Sequence, residues 1–185
     1  RVNKEIYKRF MANKYLLGTA DLIKKYNLVC RYEIIVDNPY ETEEDQIETI
    51  NLLLKIKRPF QLQLFSLVIY PGTEMHNMVL KDKLNIQNQL NKNYLRYKST
   101  FFNKIIRLCP TLPKPFIKFL VKYRTSLSTR ILLKIVYLPS ILVLEQIVWF
   151  RLILMGFDYN IFKTVDMISS YLKEGFNEIL FKKIS

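Results

Sequence analysis

The chain has 185 residues, a formal net charge of +13 and a mean hydropathy of +0.02, with half of its residues hydrophobic. That length holds one ordinary domain or a small domain with an appendage, and the composition excludes a disordered acidic tail or a bundle of membrane spans. Two distant cysteines and one histidine exclude a disulfide framework, a paired-cysteine zinc site and a multi-histidine metal centre.

Lys4 to Tyr26 reads as a helix, because Ile6, Phe10, Leu17, Ala20 and Ile23 recur at three- and four-residue steps. The chain opens at Arg1 in what reads as mid-helix, so a preceding N-terminal part of the same protein is expected. Leu28 to Val36 reads as a strand closed by Pro39, which cannot donate to a ladder. Thr42 then offers an N-cap with Asp45 three positions on, and Glu43 and Glu44 fall in the first turn, where carboxylates favour the positive end of the helix dipole. Ile47, Ile50, Leu53 and Leu54 give that helix a buried face, ending near Lys57 and Arg58 before Pro59.

Phe60 to Tyr70 (FQLQLFSLVIY) reads as a second strand, and Pro71-Gly72-Thr73 turns it into another short helix that places His76 at an exposed start. Helix, strand, helix, strand, helix is the order of parallel βα units. Two strands do not make a stable sheet of that kind. The expected fold is therefore α/β: the trailing βα units of a partial TIM-type (β/α)6 barrel over residues 1–84, then a linker at 85–100 and a mostly helical region over 101–185. In such barrels the chemistry sits at the C-terminal ends of the strands, here Asp37-Asn38 and Tyr70-Pro71-Gly72.

Between Asp82 and Glu145 there is no acidic residue, while 12 lysines and arginines fall there and carry nearly the whole net charge. Such a block draws polyanions: an anionic membrane surface, or RNA as the weaker option. It also reads as an ordinary solvated basic face. In PFIKFLVKYR, Lys114, Lys118 and Lys122 lie four apart on one helix face among aromatics, which suits an anionic membrane surface. Ile131 to Phe157 is the most apolar stretch. Lys134, Pro139, Glu145 and Arg151 interrupt it, so a buried or interfacial helix is expected rather than a span.

The segments YEIIVDNPYETEED and LFSLVIYPGTEM resemble the fifth and sixth βα units of radical S-adenosylmethionine enzymes, most closely the branch with an N-terminal cobalamin-binding domain. Ile35, Pro39, Glu41 and the Thr42-to-Asp45 helix start match the strand motif of that superfamily, and Tyr70 to Glu74 matches its YPGTE-like turn. Glu33 and Asp37 stand where the motif has glycines. The resemblance covers about residues 1–84 and implies a methyltransferase or a related carbon-skeleton modifier; the two lone cysteines point to a reducing cytoplasm, and the basic helices to a place peripheral at the membrane. The resemblance implies S-adenosylmethionine against Ile35 and Leu67, with Asp37, Asn38 and Tyr70 as polar and rim groups. It also implies a 4Fe-4S cluster and cobalamin held by the preceding part of the enzyme, since the CxxxCxxC loop is not in this sequence and Cys30 and Cys109 cannot replace it. On this reading the chain alone is not catalytically competent.

Overall fold

The computed structural model describes residues 6, 12–84 and 96–156. Helix α1 (Asn13–Lys25) is the part of the expected first helix that falls among them; residues 4, 5 and 7–11 lie outside. Strand β1 (Arg31–Val36) starts three residues later than its apolar run. Leu28 closes the end of α1 instead, donating its N–H to the Ile23 carbonyl at 3.0 Å after Asn27 turns at φ 51°. Leu28 and Val29 are left exposed.

Helix α2 (Glu43–Lys55) begins with the expected capping box. Asp45 N–H donates to Thr42 Oγ1 at 3.3 Å, and Thr42 N–H donates to Asp45 Oδ2 at 2.9 Å. Strand β2 (Gln61–Ser66) pairs parallel with β1, in register from Arg31 opposite Gln61 to Val36 opposite Ser66. A parallel pair needs a crossover, and α2 supplies it. Together they form an α/β architecture with a two-stranded parallel sheet among the described residues.

The strand expected to run to Tyr70 stops at Ser66. Leu67 still donates to the Val36 carbonyl at 2.8 Å, but it then joins Ile69 and Val79 in a small separate cluster beneath helix α3 (Glu74–Lys81). Gly72, at φ +83°, makes the turn between them, and Thr73 Oγ1 accepts from His76 N–H to start α3. His76 is half-buried rather than exposed, with its Nδ1 buried and unpartnered among the described residues.

Helices α4 (Phe101–Leu108), α5 (Lys114–Lys122), α6 (Leu127–Pro139) and α7 (Glu145–Gly156) follow. Pro139, expected to interrupt the apolar stretch, does not break the helix. It sits inside α6, and the chain continues through a π turn at Ser140–Leu144, so Leu127–Gly156 runs on as one helix of 30 residues.

Alternation along the strands separates two faces. Tyr32, Ile34, Val36, Leu62, Leu64 and Ser66 point toward the helices; Arg31, Glu33, Ile35, Gln61, Gln63 and Phe65 point the other way. On the helix side, one continuous core joins Leu62 and Leu64 to Ile50 of α2, Ile105 of α4, Leu120 of α5 and Leu133 of α6. The core therefore takes residues from both sides of 85–100.

Candidate functional site at the strand ends

The end of β1 is shaped by Asp37, whose φ of 64° lies in the left-handed region that Asp tolerates better than most residues. Its carboxylate accepts Lys98 N–H at 2.8 Å and Asn103 Nδ2 at 2.8 Å. Asp37 thereby fastens the mouth of the strand to the start of α4. Asn103 is almost wholly buried; its Nδ2 also donates to the Lys98 carbonyl at 2.9 Å, and its Oδ1 has no partner among the described residues. Asn38, also buried, accepts Tyr40 N–H at 2.9 Å in a side-chain turn that sends the chain toward Thr42. Tyr40 Oη donates to Asp82 Oδ2 at 2.8 Å, linking this loop to the end of α3. Burial and that hydrogen bond push the Tyr40 phenol up to about 12.

Of the five residues expected to face a cofactor, Ile35 and Tyr70 are exposed, 46% and 53% respectively. Ile35 lies on the sheet face away from the helices. Leu67 is buried under Val79, and Asp37 and Asn38 spend their polar groups on the protein's own backbone and side chains. The five are neighbours along two adjacent strand ends, yet three of them point into structure rather than into an open cavity.

The thiols do not fit an iron–sulfur cluster. Cys109 is buried at the end of α4, Cys30 is half-buried before β1, and no group of three or more His, Cys, Asp or Glu side chains able to hold a metal occurs among the described residues. Burial pushes the Cys109 thiol up to about 12, with the Arg58 guanidinium opposing. Arg58 donates to the Cys109 and Leu112 carbonyls, closing the C-terminal end of α4.

A cleft of about 520 Å³ lies beside the sheet, lined by residues of both its faces, Leu62 and Leu64 as well as Arg31 and Gln63, and by Tyr97, Arg107, Glu145 and Trp149. Sequence reasoning missed it, since its walls come from positions 31 to 149. Arg31 donates to Gln61 and Gln63, and Arg107 donates to Tyr97 Oη at 2.6 Å and Glu145 Oε2 at 2.9 Å. Burial works against the Arg107 charge, but these two partners outweigh it and raise its pKa. Arg107 is thus charge-paired with Glu145, while Arg31 is held by neutral amides. No protein-family model, curated protein or solved structure matches the chain.

Proposed function

We propose that this chain supplies two successive βα units to a (β/α)6-type barrel enzyme of the radical S-adenosylmethionine kind, from the cobalamin-binding branch, acting in methyl transfer or a related carbon-skeleton modification. The observation that supports it is the in-register parallel β1–β2 pair, with helices against one face and a mixed polar and apolar opposite face carrying Ile35. A barrel strand has this pattern, one face toward the surrounding helices and the other toward the lumen. On this reading, Ile35 contributes to the lumen and Tyr70 to its rim, while Asp37 and Asn38 hold the mouth of β1 in shape. The cluster and cobalamin belong to a preceding part of the same enzyme.

The test is expression of the complete coding frame that contains this chain, reconstituted anaerobically with iron and sulfide. Consumption of S-adenosylmethionine that drops in the Ile35→Glu variant supports the reading. A frame lacking CxxxCxxC, or a reconstituted protein that leaves S-adenosylmethionine intact, overturns it.

The alternative is a non-catalytic basic module that binds a membrane surface or RNA, drawn from the acid-free stretch 83–144. Base stacking calls for aromatics in a cationic groove; Phe119, Tyr123, Trp149 and Phe150 are exposed, but the run between them from Leu127 to Leu138 exposes large aliphatic side chains, which bases do not stack on. The membrane form is therefore the better of the two.

A further inference from the structure

The long helix has two unlike sides. Thr129, Leu133, Ser140, Leu152 and Met155 are buried against the protein. Leu127, Ile131, Ile135, Leu138 and Leu142, spaced by four, four, three and four, are exposed; Leu127 reaches 72% and Ile135 65%. That spacing keeps them on one stripe of the helix. The π turn adds a residue to its turn, so the stripe passes to Val143, Ile147 and Phe150, all exposed, with Trp149 beside them.

Scattered apolar residues on a surface need no explanation, but a contiguous run along a whole helix marks a contact. The helix has the length and hydropathy of a membrane span, and only 11% of its apolar window is buried within the protein, but the few residues that are buried favour lying in the plane over crossing. Leu133 and Leu152 are 2% and 1% exposed within the protein, and Glu145 is fastened to Arg107 at 2.9 Å. Inserting this helix across a bilayer would pull that side out of its packing. A helix with one face on its own protein and one apolar face outward can instead lie in the plane of the membrane.

Charge says which membrane. Arg130 and Lys134 are exposed beside the stripe. Helix α5 joins its start through Tyr123–Ser126, and Arg130 Nε donates to the Arg124 carbonyl at 3.1 Å across that join. On α5, Lys118 and Lys122 are exposed next to Phe119 and Tyr123, whose rings lie 5.0 Å apart and are half-exposed. Lysines around half-exposed aromatics are the chemistry of a head-group boundary. A second copy of the chain on this face would bring the same cations together with no acid between residues 83 and 144 to match them.

We propose that the exposed side of α6 and α7 is a monotopic seat on an anionic lipid bilayer: the stripe from Leu127 to Phe150 enters the acyl boundary, and Lys118, Lys122, Arg130 and Lys134 meet the lipid phosphates. This does not depend on the barrel-enzyme reading.

Trp149 is the sole tryptophan in the sequence and lies at the edge of the seat, 41% exposed where the helix also borders the cleft, so bilayer contact changes its surroundings. The full chain is mixed with phosphatidylcholine vesicles, with or without phosphatidylglycerol, carrying bromine near the head group or at the chain end. Expected are a blue shift of Trp149 on the phosphatidylglycerol vesicles and stronger quenching from the shallow bromines. Ile135→Glu with Leu142→Glu, both at exposed positions, should weaken partitioning about tenfold or more. Lys118→Gln with Lys122→Gln should weaken it by a similar factor on anionic vesicles alone. Absence of shift and quenching on both vesicle types overturns the proposal. So does a helix axis along the bilayer normal in oriented circular dichroism, which means a span, or a lipid-free dimer that Ile135→Glu dissolves while vesicle binding is absent.

Discussion

Asn103 Nδ2 donates to Asp37 Oδ1 at 2.8 Å, bridging 66 positions of sequence to tie the end of the first strand to the first turn of α4. The contact makes a left-handed aspartate at a strand mouth into a fastening for the helical region.

Substitutions at Asp37 should separate backbone strain from lost hydrogen bonds. Asp37→Ala removes the acceptor for Lys98 N–H and Asn103 Nδ2, and a loss of about 2 kcal/mol or more in urea unfolding is expected. Asp37→Gly loses the same bonds but sits easily at φ 64°, so it should be more stable than the alanine variant by about 1 kcal/mol. Equal stability of the two would show that strain at this residue is negligible.

Cys109 sets an alkaline limit. Its thiol is raised from the ordinary 9.0 to about 12 in the folded protein, so the folded state holds the proton more tightly than the unfolded one. The contribution is intact below the unfolded value and is lost as pH climbs from about 9 to about 12. Urea midpoints measured from about pH 8 to about pH 11 should fall more steeply for the wild-type chain than for Cys109→Ala. At neutral pH, iodoacetamide should label half-buried Cys30 and leave buried Cys109 until the chain unfolds.

Arg107 and Glu145 are about three-quarters covered, with 28% and 27% of their side chains exposed. A double-mutant cycle with Arg107→Met and Glu145→Gln should give a coupling of about 1 kcal/mol, larger than for the exposed pair Lys57–Asp21. Coupling near zero would mean that α7 is held by its apolar contacts alone.

Ile105 is fully buried in the core that strands and helices share. Ile105→Ala should cost about 2–5 kcal/mol. Far-ultraviolet circular dichroism and Trp149 fluorescence should then report one coincident transition at a lower midpoint. Separate midpoints for the two probes would show that the long helix unfolds independently of the sheet.

Local chemistry was legible in the sequence and distant partnership was not. Thr42 with Asp45 and the buried face of α2 are written in spacings of three and four, and the structure has both of them. The strands came out shorter because an apolar run does not say which residues ladder and which close a neighbouring element: Leu28 ends α1, and Leu67 and Ile69 serve α3. Pro139 misled for a similar reason, since a proline inside a helix can be followed by a wider turn rather than by a break. At the strand ends, Asp37 and Asn38 were identified as polar groups of interest, but their partners could not be foreseen. Lys98 and Asn103 lie more than sixty positions from Asp37. Asn103 did leave a trace, as the one polar uncharged residue inside FFNKIIRL, at a core-facing step of a strongly two-sided helix.

The π turn at Ser140–Leu144 also fixes a phase. An α-helix advances about 100° per residue, so deleting one residue from this turn would rotate everything from Glu145 onward by roughly that angle relative to α6. Glu145 would swing away from Arg107, and Leu152 and Met155 would leave the protein interior. The two halves of the helix thus share one axis but keep separate angular settings, and a single supernumerary residue reconciles them.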